Sequence, residues 1–192
     1  MKRWTSAALA LCLLLCALPA RAAYDPEINY MSLMISAAQS GDTESGRLAQ
    51  RLRDEKIDAL GLDYRKVAYD DLSLLSRLIQ SEAGSAWLGT RWKMAVGEVV
   101  LNRMASPEFP DTLSEVIFQP GQYTGAVNLS VPSYDSVIAA QKLLEGERVL
   151  DNPAVVFQSN GRQGSGVYME LSDAYLGTTY FCLSSRMELY TG

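Results

Sequence analysis

Between residues 28 and 60 apolar side chains recur twice at helical spacing. Ile28, Met31, Met34, Ile35 and Ala38 mark a first helix that stops at Ser40-Gly41-Asp42. Thr43 and Glu44 open a second, carried by Leu48, Leu52, Ile57 and Leu60 to a terminating Gly61. The pair predicts an antiparallel helical hairpin, a buttress or targeting element rather than a site. A third helix starts at Asp70 or Asp71, shows the stripe Leu74, Leu75, Leu78 and Ile79, and ends near Ala83. The fourth, from Ser85 or Thr90 to Met104, is apolar on most sides and belongs at the centre of the core. Pro107 and Pro110 punctuate a loop, Thr112 and Glu115 have the form of a capping box for a short helix through Phe118, and a further helix spans about Ser133 to Gly146. The texture then changes. Val155-Val156-Phe157, Val167-Tyr168-Met169 and Thr179-Tyr180-Phe181-Cys182 predict short strands between Gly- and Ser-rich turns. Helices first and a small sheet last predict an α+β chain, mostly helical with a C-terminal antiparallel sheet.

The first residues change the arithmetic of the rest. Lys2 and Arg3 precede an apolar run from Ala7 to Leu18 and then Pro19-Ala20-Arg21-Ala22, the form of a secretory leader cleaved after Ala22. Removing Lys2, Arg3 and Arg21, with no acid among them, takes the formal charge from −5 to −8. A surface of that sign argues against nucleic acid as a partner. No apolar run is long enough to hold the mature chain in a membrane, so the expectation is an exported protein. Cys12 and Cys16 leave with the leader, and Cys182 is expected as a buried core thiol with no disulfide partner. The chain contains no His. That excludes Ser-His-Asp and Cys-His nucleophile pairs and nearly excludes a zinc site built on imidazole, so proton chemistry falls to carboxylates and neither metal nor cofactor is expected.

Two acids stand out. Glu82 lies four residues after Leu78 and three after Ile79, which places it on the inward face of the third helix, in the last turn beside unpaired carbonyls. Lost hydration and an adverse dipole both favour the protonated form, as a general acid for glycosidic cleavage requires. Ala83 and Gly84 leave backbone room for substrate. The competing reading is a helix-terminal Glu that reaches solvent or pairs with Arg77 or Arg91. Glu98, set within the apolar run Met94 to Leu101, is either a second site carboxylate or a buried structural partner.

Four blocks then occur in order: Leu75-Ser-Arg-Leu-Ile-Gln-Ser-Glu82-Ala-Gly, Ala95-Val-Gly-Glu-Val-Val-Leu-Asn102-Arg103, Ser106-Pro-Glu-Phe-Pro110 and Glu115-Val-Ile-Phe-Gln-Pro-Gly-Gln-Tyr123. Together they resemble the SleB/CwlJ-type cell-wall hydrolase family, associated with spore-cortex and other bacterial peptidoglycan, over about residues 72–182. The resemblance implies a lysozyme-like catalytic domain with Glu82 as the essential acid, acting on peptidoglycan glycan strands. The reaction it implies is that of a lytic transglycosylase, in which one Glu first protonates the bond between N-acetylmuramic acid and N-acetylglucosamine and then serves as base on the muramic C6 hydroxyl. Such chemistry needs no second carboxylate, unlike inverting or covalent hydrolysis. The alternatives are a hydrolytic muramidase using the same Glu82, with water placed by Glu98, and a silent peptidoglycan-binding module. Gly177-Thr178-Thr179-Tyr180 departs from the Gly-Asn-His-like segment of many members, which weakens any carry-over of contacts from that strand.

The expected organisation is a leader at 1–22, a hairpin and linker at 23–69 and the catalytic domain at 70–192, the product being extracellular, wall- or spore-associated, or periplasmic in a Gram-negative host. Gln122 and Tyr123 are candidate substrate contacts after the Pro120-Gly121 turn. Glu98 and Asn102, four residues apart on one helical face, are expected to meet and are carried as further candidates, while Arg103 is expected to tie down the 106–110 loop. Trp87 and Trp92 read as core or staple residues more readily than as sugar platforms. Gln163-Gly-Ser-Gly166 reads either as amides offered to a sugar or as an ordinary hairpin.

Overall fold

A computed structural model describes residues 24–123 and 130–190. The expected leader and the end of the Pro120–Gly125 turn lie outside them. Among the described residues six α-helices are followed by a three-stranded sheet: α1 Tyr30–Ser40, α2 Thr43–Leu60, α3 Tyr69–Ala83, α4 Thr90–Met104, α5 Leu113–Phe118, α6 Tyr134–Glu145, β1 Val155–Ser159, β2 Gly166–Asp173 and β3 Gly177–Leu183. The α+β pattern is therefore the observed one. None of these helices is long and apolar enough to cross a membrane.

Local chemistry sets the helix ends. Asn29, Asp42, Thr112 and Ser133 each accept a bond from the backbone N–H three residues on, at the starts of α1, α2, α5 and α6. The Thr112 hydroxyl also donates to the Glu115 carboxylate at 2.6 Å, so the expected capping box forms with its return bond on the hydroxyl instead of the Thr112 N–H. Gly41, Gly61 and Gly146 stop α1, α2 and α6 in the left-handed conformation that favours glycine.

One apolar cluster joins Met31, Met34, Ile35 and Ala49 of the hairpin to Leu72, Leu75, Leu78 and Ile79 of α3 and to Val137 and Leu143 of α6. The hairpin is thus packed into the main core rather than set beside it. Tyr69, at the first turn of α3, fills the space a side chain would occupy at Gly46, where a Cβ would lie 2.1 Å from the ring. As the sequence predicts, α4 is central, with every residue from Lys93 to Arg103 buried.

A second cluster lies between α4 and the sheet: Ala83, Leu88, Ala95, Val96, Val99, Leu150, Val155 and Phe181. The strands pair antiparallel in the order β1-β3-β2, so the connection from β1 to β2 passes over the central β3. Both outer strands shift register, between Val155 and Phe157 and between Val167 and Met169, against the same stretch of β3 near Cys182. That cysteine is buried, as expected. The loop before β2 is not an open cradle. Gly164 has φ +60° and packs where a Cβ would meet the Leu183 carbonyl, Ser165 N–H donates to that carbonyl, and Gln163 N–H to the Cys182 sulfur. The 163 and 165 amides are spent on β3, against the reading that offers them to a sugar.

Candidate active site

Glu82 ends α3 beside the inner edge of β1. In the ladder Gln158 faces Phe181, which is buried toward the helices, so Gln158 points the same way and its amide nitrogen lies 3.5 Å from the Glu82 carboxylate. The bond is long, but it is the partner Glu82 has among the described residues; Arg91 instead reaches the sulfur of Met169. Glu82 does not project into the core. It is an exposed residue, because Ala83 rather than Glu82 continues the buried stripe at the helix end. Surrounding protein still removes enough water to push its carboxyl above the usual glutamate range, with the Gln158 amide opposing the shift.

The helix dipole, expected to add to that shift, is met by an ammonium. Lys93 of α4 is 1% exposed and donates to the carbonyls of Ala83 at 2.9 Å and Ser85 at 3.0 Å, capping the end that carries Glu82. Burial pulls the Lys93 amine below its usual range, with Asp135 opposing. The room at Gly84 is taken by protein as well: a Cβ there would strike the Gln80 carbonyl and side chain. Gln80 in turn accepts from Ser133 N–H and Ser136 Oγ, both at 2.9 Å, which fixes α3 against the start of α6.

Behind this edge sits Arg103. Its Nε donates to the Val156 carbonyl at 2.6 Å and its Nη1 to Gln122 Oε1 at 2.7 Å. Its guanidinium also lies 5.1 Å from the ring centre of Phe109, 5.3 Å from Tyr123 and 6.0 Å from Phe157. The Phe109 contact is the tie to the 106–110 loop that the sequence predicts; the bonds to β1 and Gln122 are additional. Val156 is the residue between the two shifted pairs of β1, and Arg103 takes up its carbonyl.

The candidates divide into two groups. Tyr123 is buried near Glu82, and its hydroxyl has no partner among the described residues. Burial pushes the phenol up to about 12, Arg103 pulling the other way and the nearby Glu82 charge adding to the rise. Gln122 is exposed and held by Arg103. Tyr123 thus belongs to the Glu82 neighbourhood, and Gln122 is tied to it through Arg103.

Glu98 and Asn102 do not. Glu98, 1% exposed, accepts from the N–H groups of Val149 at 2.6 Å and Leu150 at 3.1 Å. Asn102 donates to the carbonyls of Asn152 at 3.1 Å and Val155 at 3.0 Å. The two side chains do not bond to each other; each captures backbone of the 149–155 segment, because that segment crosses the α4 face they share. Both are corrected from substrate contacts to internal braces. Trp87 is corrected in the opposite sense: it is 61% exposed and stands edge-on to Tyr175, whereas Trp92 packs on the second apolar cluster.

Sequence reasoning missed Gln158 and Lys93. A polar residue following Val155-Val156-Phe157 signals only a strand passing out of the core. A Lys at the start of an apolar helix was the stronger clue, since a buried ammonium demands carbonyl partners.

With that geometry in view, comparison with known proteins points to cell-wall hydrolases. Residues 89–173 match the family described as Cell Wall Hydrolase. The chain resembles the SleB-type cell-wall hydrolases. A spore cortex-lytic enzyme of Halalkalibacterium halodurans is 38% identical over 60 residues, 31% of this chain and 17% of that protein. A spore cortex-lytic enzyme of Bacillus cereus is 26% identical over 117 residues, 59% of this chain and 44% of that protein. The chain thus spans less than half the length of these relatives. The crystal structure of the catalytic domain of the Bacillus cereus SleB protein aligns with 60% of this chain and 91% of its own, at 22% identity and a TM-score of 0.45. Glu82 lies just ahead of the segment matched by the family, whereas Arg103, Gln122, Tyr123 and Gln158 lie within it.

Proposed function

We propose that this chain, exported from the cell, cleaves peptidoglycan glycan strands between N-acetylmuramic acid and N-acetylglucosamine as a lytic transglycosylase, with Glu82 as acid and then base. The observation that carries this reading is a solvent-accessible carboxyl at a helix end, faced by the Gln158 amide, whose protonated form desolvation favours. In the first half of the reaction Glu82 protonates the bridging oxygen as the glycosidic bond breaks. In the second it takes the proton from the muramic C6 hydroxyl, whose oxygen closes the anhydro ring, and Glu82 returns to its starting state. Gln158 orients the carboxyl. The exposed Gln122 offers a polar contact to the sugar, and the enclosed Tyr123 lines the wall behind it.

The placement of Glu98 favours this mechanism over hydrolysis. Buried and bonded to two backbone amides, it is in no position to place a water for attack. The similarity to the Cell Wall Hydrolase family supports the substrate class. Mass spectrometry of muropeptides released from purified wall tests the proposal. Anhydro-muramic ends are expected with the wild type and none with Glu82→Gln; reducing ends would replace this mechanism with hydrolysis, and equal release by both proteins would overturn the role of Glu82.

A further inference from the structure

The α3–α4 loop, residues 84–89, leads from Glu82 across the inner face of the sheet. Gln158, Phe181 and Met169 form one row across β1, β3 and β2, and Asp173 lies four residues further along β2 on the same face. Asp173 faces Gly177 at the β2–β3 turn, where its carboxylate accepts from the N–H groups of Tyr175 at 2.9 Å and Leu176 at 3.1 Å. The Trp87 indole lies near enough to help, after the turn amides, to hold that carboxylate below the usual aspartate range. Trp87 therefore meets the hairpin tip, its ring centre 6.1 Å from that of Tyr175 with the planes at 65°.

Both rings are open to solvent, Trp87 at 61% and Tyr175 at 87%. Here Asp173 fixes the turn that carries Tyr175, and the edge-to-face contact with Trp87 joins turn and loop into an aromatic surface outside the core, most of it open to solvent. Two steps across the sheet and four residues along it put this pair roughly 15 Å from the Glu82–Gln158 contact. That is the reach of a strand several sugar rings long, not of one disaccharide.

We propose that Trp87 and Tyr175 form a stacking platform for a distal sugar ring of the glycan strand, so that the chain grips long strands more tightly than short fragments. The apolar face of a pyranose lies against the aromatic rings, and the platform sets how far the strand extends from Glu82. The inference rests on the glycan-strand reading of the site, and the measurement is one of binding, so that the two can fail separately.

The protein to use is the Glu82→Gln variant, which binds without turnover, compared with Glu82→Gln carrying Trp87→Ala, Trp87→Phe or Tyr175→Ala. Each is sedimented with insoluble peptidoglycan and titrated with purified glycan strands of graded length. Trp87→Ala is expected to bind long strands roughly tenfold more weakly, on the scale of aromatic contact residues. The deficit grows with strand length, and Trp87→Phe recovers most of it. Equal affinity for long strands in the parent, Trp87→Ala and Tyr175→Ala proteins would overturn the platform, as would absence of binding by all of them. A wild type that releases no muropeptides, while Trp87→Ala still lowers wall binding, would remove the catalytic reading alone.

Discussion

Replacing Arg103 by Met keeps much of the side-chain volume while removing the fork and the charge. The Val156 carbonyl loses its described partner, at a cost of about 1–3 kcal/mol for a buried acceptor left unpaired. The bond to Gln122 ends on an exposed side chain and contributes about 1 kcal/mol. Loss of the cation from beside Phe109, Tyr123 and Phe157 removes about another 1–2 kcal/mol. Against these stands the relief of no longer burying a guanidinium that is 4% exposed. A net loss of about 3 kcal/mol follows, or a fall in Tm of about 6–12 °C for a chain of this size. Because Val156 lies two residues before Gln158 on β1, the same change loosens the residue facing Glu82, and the Glu82 titration should move with it. Urea unfolding and thermal melts give the first quantity, and carboxyl NMR titration gives the second. An Arg103→Met protein within about 0.5 kcal/mol of wild type, the range of ordinary surface changes, would refute Arg103 as the anchor of β1.

Lys93→Met leaves the Ala83 and Ser85 carbonyls without their ammonium; a loss of about 2 kcal/mol is expected in denaturant unfolding, with faster amide exchange at the end of α3. Glu98→Ala strips two buried N–H groups of their acceptor and should cost about 3–5 kcal/mol, while the ratio of anhydro to reducing ends among the products stays unchanged; a switched ratio would make Glu98 a participant. Since the folded-state carboxyl of Glu82 lies above the unfolded value near 4.5, its contribution to stability is present below that value and is lost as pH rises through the folded value. Glu82→Gln should therefore melt at or slightly above the wild-type temperature at pH 7, by no more than about 1–2 °C for so exposed a residue, with no advantage at pH 4. The same direction puts the alkaline limb of the activity profile above the ordinary carboxylate range, and a limb near the free glutamate value would remove the raised-pKa argument.

The helices were legible because their signals are local. Capping side chains at 29, 42, 112 and 133 and left-handed glycines at 41, 61 and 146 act within a turn of the helix they bound. The sheet was legible as three strands but not in its order, since placing β3 between β1 and β2 depends on pairing across the chain. Glu82 is legible from its place at a helix end but its direction is not: a position near the edge of an apolar stripe can face the core or the rim, and packing of Ala83 decides it. Glu98 and Asn102 were recognised as unusual because polar groups within an apolar helix must be satisfied somewhere, but a sequence does not say by what. The answer was backbone from residues 149–155, more than 45 positions away. Gln158 and the Trp87–Tyr175 pair escaped for the same reason, each being defined by a neighbour remote along the chain.

The seat of Tyr69 against Gly46 has a practical consequence. A cut just ahead of α3, discarding the hairpin, would leave Tyr69, Leu72 and Leu75 facing water. Such a fragment would tend to clump or stay loosely packed, and failure of a shortened version to digest wall would reflect a missing roof rather than a missing catalyst.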